Sequence, residues 1–374
     1  MGWERKRGKL EELNRLLRGD TSTSYVVHEG QAEHFAEFRH VLTLDADTIL
    51  PLGSGRRLIE TLAHPLNRAR FDAGERVSAG YTVLQPRVDL APIDAPTRFS
   101  RIFAGDGAFD IYSRAVSDVY PDLFGEGIVV GKGIYAIDDF QRSVAHRMPE
   151  DRVLSHDLLE GVHGRAGLVT DVVVYEDYPV NWLSYARRLH RWVRGDWQLL
   201  PWLGRVVPVG SGQRKPNRLG ALARYKILDN LRRSLLSPSL VAFAIVAWLW
   251  LPGAALLWTG LVLALLATPL LIELSSSLLG SLRPGRFRSG IAGLVSSAPI
   301  STLRWLMRVS LLLHEAAVGL DAIARAITRT AITRRNQLEW TPAALAGRGT
   351  SEPRTIVRDK IGRASCRERV CYVV

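Results

Sequence analysis

Three stretches in the first half of the chain carry the hydrophobic pattern of strands. "FRHVLTLDADTIL" (38 to 50) is built on Val41, Leu42, Leu44 and Ile49. "GYTVLQPRVDL" (80 to 90) reads as a second strand, interrupted at Pro86, and "GLVTDVVVYEDYP" (167 to 179) as a third. Between and around them, helical spacing predicts helices over Lys9–Leu17, Ser54–Ala63, Phe99–Ala115 and Leu183–Trp202. Strands alternating with helices predict an α/β domain with a mostly parallel, doubly wound sheet, which binds ligands at the carboxyl ends of its strands.

The pattern changes after residue 230. Leu235–Leu251 and Ala254–Ile272 are charge-free runs of 17 and 19 residues joined at Pro252-Gly253, each about the length a bilayer core demands of a helix. Arg224, Lys226, Arg232 and Arg233 precede them, and Arg283, Arg286 and Arg288 follow. Basic residues at both outer ends, with none in the turn, predict a transmembrane hairpin with both ends in the cytoplasm. Beyond it, Trp305, Leu306, Val309, Leu312 and Leu313 can share one helical face. That fits a helix lying on the membrane surface, or a third span holding His314 and Glu315.

Composition sharpens this picture in two places. The formal net charge of the 374 residues is +12, and both cysteines, Cys366 and Cys371, fall in the last fifteen residues. That tail, "KIGRASCRERVCYVV", back-translates to a resemblance of a sequencing adapter read in frame, so Lys360–Val374 is read as foreign and excluded from fold reasoning. It carries four basic residues and one acidic one, so +12 becomes about +9 without it, still basic. The basic residues cluster beside the apolar runs rather than along an aromatic-studded sheet, which argues against nucleic-acid binding.

Candidate chemistry starts at Asp45 and Asp47, two carboxylates in alternate positions at a strand end, where both can face one ligand. Hard divalent cations such as Mg²⁺ take one or two such carboxylates plus substrate phosphates; a capping turn is the plain alternative. "ERKRGKLEELNRLL" (4 to 17) sets Lys6 and Lys9 on either side of Gly8 ahead of a helix, an anion site or a solvated helix start. "GKGIYAID" (131 to 138) flanks Lys132 with Gly131 and Gly133, which permit close approach to a sugar or make a turn. In "VLSHDLLEG" (153 to 161), Ser155 is placed to cap a short helix with Asp157 in its first turn, a general-base candidate or a structural acid. In "RRLHRWVRGDWQ" (187 to 198), Arg188, Arg191 and Trp192 share a helix face, suited to phosphate and sugar or to anchoring at a membrane interface.

In order and spacing these elements resemble the membrane-bound, processive family 2-type glycosyltransferases of the cellulose synthase kind. The wording of "WERKRGKLEELNRLLRG", "LDADTILP", "AHPLNRA", "LSHDLLEG", "RRLHRWVRGDWQ" and the segment from "LDAIARAITR" to "LEWTPAA" is similar to the glycosyltransferase domain of bacterial cyclic β-1,2-glucan synthases (family 84). His156 and Arg188 stand where the broader relatives have Glu and Gln, a departure from the cellulose-type pattern.

The resemblance implies a GT-A type, Rossmann-like domain over residues 1–230, a transmembrane hairpin over 231–274, membrane-associated helices over 275–345 and a linker over 346–359. It implies inverting transfer of glucose from UDP-glucose to a growing β-1,2-glucan at the inner membrane, with Mg²⁺ or Mn²⁺. Asp47 would ligate the metal, with Asp45 near the nucleotide sugar. Lys6, Lys9 and Arg188 would face the donor phosphates, and Arg191 the departing diphosphate. Asp157 would be the base, and Trp192, Gly131, Lys132 and Gly133 would meet the glucan acceptor. It also implies a uracil-binding strand ahead of residue 4 and a large carbohydrate-processing region after the chain, so that the polypeptide alone is expected to make no glucan. A synthase of another β-glycan and a non-catalytic membrane-tethered scaffold are the alternatives.

Overall fold

The computed structural model describes residues 4–25, 32–90, 97–103, 119–210, 213–281, 287–339 and 372–373. Its centre is a five-stranded sheet: β1 (His40–Thr43), β2 (Val83–Leu90), β3 (Gly133–Ala136), β4 (Ala166–Glu176) and β5 (Tyr372–Val373), in spatial order β4-β2-β3-β1-β5. β2 and β4 are parallel, and β3 runs antiparallel to both β2 and β1. The sheet is therefore mixed rather than mostly parallel. β1, β2 and β4 share one direction, and β3 is inserted against them. Tyr372 and Val373, from the tail read as foreign, pair with Leu42 and Val41 at the outer edge.

Both faces of the sheet are covered, which is why its strands are apolar in every phase. On one side Val41, Val83 and Tyr135 pack on Leu13 of α1 (Arg5–Leu16), on Leu17 just past it and on Phe140 of α3 (Ile137–Val144). On the other, Leu42, Leu84, Ile134 and Val172 pack on Leu58 and Leu62 of α2 (Ser54–Ala63), whose bounds are those predicted. Pro86 does not interrupt its strand as expected. β2 continues to Leu90, and the register against β4 slips between Pro86 and Arg87, the bulge at which a residue without an N–H is tolerated.

A third cluster joins α4 (Asp157–Gly164) through Leu158 and Leu159 to Leu199 and Trp202, just past α5 (Trp182–Gln198), and to Ile227 of α6 (Ala221–Ser234). The helix predicted over Leu183–Trp202 is thus α5 followed by a 3-10 turn at Leu200–Leu203, which holds Pro201. Lys226 of α6 is almost fully buried. Its ammonium donates to Glu126 Oε2 at 3.1 Å and to the Gly127 carbonyl at 3.0 Å.

The apolar runs form α7 (Leu236–Trp250), α8 (Ala255–Leu266) and α9 (Thr268–Ser281), followed by the 41-residue α10 (Phe287–Ile327). No single described helix is long and apolar enough to cross a membrane. Two bent pairs reach that length and composition together: α6 with α7 at 49°, and α8 with the first part of α9 at 58°. The run Ala254–Ile272 is thus two helices rather than one, broken ahead of Pro269, whose ring cannot donate the next helical hydrogen bond. His314 and Glu315 on α10 have partners: Trp182 Nε1 donates to His314 Nδ1 at 3.0 Å, and Ser237 Oγ donates to Glu315 Oε1 at 3.0 Å. α10 lies along α5, with Val193 against Ala322 and Ile323 and His190 Nε2 2.9 Å from Asp321 Oδ2. Of the helix predicted over Phe99–Ala115, Arg98–Phe103 is helical, and 104–115 lies outside the described residues, as do 340–371, which include the expected linker.

Candidate active site

Because β3 opposes its neighbours, its start lies at the same end of the sheet as the finish of β1 and β4. Asp45 follows β1, Lys132 precedes β3 and Glu176 ends β4. Each charge is in phase with a buried strand position: Val41 and Thr43 lead to Asp45, Ile134 to Lys132, and Val172 and Val174 to Glu176. These rows lie on both faces of the sheet, and past the strand ends their charged side chains come together. Lys132 Nζ lies 2.5 Å from Glu176 Oε1 and 3.2 Å from Asp45 Oδ2. Lys6 Nζ, from α1, lies 2.5 Å from Asp45 Oδ1 and donates to the Gly131 carbonyl at 2.7 Å.

The turn after β1 is locked to this cluster by the backbone. Ile49 exchanges hydrogen bonds with Tyr175 at 2.8 and 3.0 Å, which folds residues 45–48 onto the end of β4. Thr48 Oγ1 then donates to Glu176 Oε1 at 3.2 Å and accepts from the Asp45 N–H at 3.2 Å. Burial pushes the Asp45 carboxyl up, but the ammonium groups of Lys132 and Lys6 more than offset it and hold it below the usual carboxylate range. Burial likewise disfavours the charged Lys132 ammonium, and Glu176 and Asp45 reverse that, raising it above an ordinary lysine.

Carboxylate oxygens of Asp45, Asp47 and Glu176 all lie within 4.8 Å of one another. This is a hard oxygen donor set of the kind Mg²⁺ or Mn²⁺ takes. Asp47 is exposed, and among the described residues no ion pair involves its carboxylate, whereas Asp45 and Glu176 each hold a lysine. The donor set thus fits a divalent cation, with Asp47 as its open ligand.

Asp157 approaches from the other side of Gly131. A Cβ built on Gly131, whose φ is +83°, would lie 3.0 Å from Asp157 Oδ1, so the absent side chain is what lets the two segments touch. The buried Gln85 of the Q-P step holds this loop, accepting from the Val130 N–H at 2.9 Å. Asp157 is the first residue of α4, where the helix dipole favours a carboxylate. The cap position is His156 with no side-chain bond, so Ser155 does not cap the helix as predicted. Ser155 sits one step too early in the chain, against Gly195 of α5. His156 Nε2 lies 3.5 Å from Asp157 and 3.8 Å from Glu160, whose buried carboxyl is pushed up by desolvation. A cavity of about 60 Å³ runs beside these groups, lined by Lys6, Asn14, Lys132, His156, Asp157 and Glu160 among others.

The arginine-tryptophan helix reaches the cluster through Arg188, whose Nη2 is 3.7 Å from Glu176 Oε2 and whose guanidinium lies over the Trp192 ring at 4.8 Å. Arg191 is on the same helix, half-buried. Lys6, not Lys9, meets Asp45; Lys9 sits a turn further along α1, and its carbonyl accepts from Tyr25.

No family model matches the chain. Over 353 residues it is 39% identical to the protein named cyclic beta-(1,2)-glucan synthase NdvB from Rhizobium meliloti (strain 1021), a match covering 92% of this chain. The resemblance read from the motifs is borne out. The chain spans 12% of the length of that synthase.

Glu176 is the site residue that the sequence reading missed. "VVVYEDYP" reads as an acidic strand end near a turn, and nothing in its spacing marks a ligand. The available signal was phase: Glu176 continues the buried alternation of Val172 and Val174, so its carboxylate had to point inward.

Proposed function

We propose that the chain carries the donor and base side of a glucosyltransferase that builds a β-1,2-glucan from UDP-glucose with inversion at the anomeric carbon. One observation carries this reading. Gly131 bridges two chemistries: its carbonyl takes the Lys6 ammonium that pairs with Asp45, and its Cα faces Asp157. A cation-rich diphosphate site and a candidate base therefore lie on two sides of a single residue. The likeness to a β-1,2-glucan synthase supplies the substrate class.

In this reading Asp47, with Asp45, holds the divalent cation, which when bound neutralises charge on the donor diphosphate. Asp157 takes the proton of the acceptor hydroxyl as that oxygen bonds to the anomeric carbon. The bond from that carbon to the diphosphate breaks, and its electron pair leaves with the diphosphate. Lys6, Lys132, Arg188 and Arg191 stabilise the negative charge that develops there. Trp192 offers an indole face to the acceptor sugar, while Gly131 and Gly133 let it approach the backbone. The D-x-D turn at the carboxyl end of β1 supports a GT-A reading of the domain. The two bent apolar pairs and the basic residues beside them support a seat in the inner membrane, with the site on the cytoplasmic side.

Asp157→Asn in the complete gene product tests the reading. Glucan synthesis is expected to fall about a hundredfold or more with membrane abundance unchanged, the scale of a lost general base. Undiminished synthesis sinks it in favour of a tethered scaffold, and linkage analysis of the product decides between β-1,2-glucan and another β-glycan.

A further inference from the structure

Two carboxylates of the cluster, Asp45 and Glu176, face three cations, Lys6, Lys132 and Arg188. Two of those cations converge on one acid that no motif contains. Glu176 is only 4% exposed, yet it receives Lys132 at 2.5 Å, the Thr48 hydroxyl at 3.2 Å and Arg188 at 3.7 Å. Its partners come from three separate segments: the glycine-lysine loop, the D-x-D turn and α5. Lys132, itself buried, is shared between Glu176 and Asp45. Once Asp45 and Asp47 face a bound cation, Asp45 has less negative charge to offer Lys132. Glu176 is then the carboxylate left to balance it, and to keep Arg188 in the same place.

We propose that Glu176 is a positioning residue for donor binding, holding the Lys132 ammonium and the Arg188 guanidinium beside the D-x-D turn so that both meet the donor diphosphate. This rests on the reading of the site given above. Glu176 touches no reacting atom; it acts through the two cations. A charged side chain held by one buried carboxylate has a fixed position, whereas released lysine and arginine side chains recover rotamer freedom and must be ordered again by the ligand.

The test uses the full chain and UDP as the probe, with binding measured calorimetrically in Mn²⁺. Glu176→Gln is expected to weaken UDP binding by roughly tenfold or more, the scale of losing a group that orients a ligand contact. Glu176→Asp, which keeps the charge, should recover most of that loss. Lys132→Met should weaken binding similarly, and Glu176→Gln combined with Lys132→Met should lose less than the product of the two single losses, because part of the Glu176 effect passes through Lys132. The double variant removes both members of the 2.5 Å Lys132–Glu176 pair and leaves Asp45 its partner Lys6, so it also decides the matter if a single variant fails to fold. In the complete gene product, Glu176→Gln should raise KM for UDP-glucose more than it lowers kcat. Wild-type affinity in Glu176→Gln or in the double variant overturns the proposal, as does a double variant whose loss is the product of the two single losses. No UDP binding by the unsubstituted chain sinks the reading of the site itself, whereas binding that these variants leave untouched sinks this inference alone.

Discussion

Gly195 of α5 lies directly against Ser155 in the loop that leads to Asp157: a Cβ built on Gly195 would stand 2.6 Å from the Cβ of Ser155. The arginine-tryptophan helix and the candidate base are therefore spaced by a missing methyl group. Two further contacts fix the same junction. The Leu154 N–H donates to Gln198 Oε1 at 2.7 Å, and Gln198 Nε2 donates to the Gln337 carbonyl at 2.9 Å.

Gly195→Ala is expected to push α5 off the loop, at an overpacking cost of about 1–3 kcal/mol. Thermal melting should show the loss. Synthesis by the complete gene product should fall further than UDP binding, because Arg191 and Trp192 shift relative to Asp157 while the donor cluster stays. Unchanged melting and synthesis would show that the helix does not register against the base here.

Gly131→Ala meets two obstacles at once, a left-handed φ of +83° and the Asp157 carboxylate 3.0 Å away. The backbone term alone is roughly 1–2 kcal/mol. The expected outcome is a folded but less stable protein whose transfer rate drops well beyond any change in donor affinity. Melting curves and steady-state kinetics together check it.

Removing the divalent cation tests the charge balance of the cluster. Asp45 and Glu176 already face three cations, so a diphosphate entering without a metal meets Asp45, Asp47 and Glu176 with no added positive charge. Chelation is expected to weaken UDP binding by roughly tenfold or more. Asp47→Asn should blunt the response to added Mn²⁺, since Asp47 is the exposed carboxylate of the three. Equal UDP affinity in EDTA and in Mn²⁺ contradicts this.

His163, on α4 six residues after Asp157, predicts an acid limit to stability. Burial holds its imidazole well below the ordinary value, at about 3. The unfolded chain, with a pKa near 6.5, then binds a proton that the folded chain refuses. This contribution is fully present above about pH 6.5 and is lost as the pH falls toward 3, at up to about 1.4 kcal/mol per unit. Urea unfolding between pH 7 and pH 4.5 should show the slope, and His163→Gln should flatten it. Parallel slopes in the two proteins would remove His163 from the account.

Much of this was legible in the sequence because periodicity is local. α2 has the predicted bounds, and Asp157 begins its helix as expected, since an acid in a first turn announces itself. β3 was not legible. Four residues, Gly133–Ala136, are too few to show alternation, and their antiparallel placement is a property of the whole sheet. The burial of Lys132 follows from that. Between two glycines it reads as close approach to a sugar or a turn, and the insertion of β3 is what buries it with Asp45 and Glu176. The break ahead of Pro269 was visible as a residue, although an apolar run invites a straight helix.

The packing of α5 on α10 has a consequence for genetics. Ala316, Ala322 and Ala326 of α10 are buried, and Ala322 packs against Val193 of α5. None of these residues meets a sugar or a phosphate. A random library scored only on polymer yield should nonetheless return substitutions at Ala322, because a larger side chain there presses on Val193 of the helix that carries Arg188 and Trp192. Loss-of-product alleles would then map to a remote scaffold surface as often as to the aspartates.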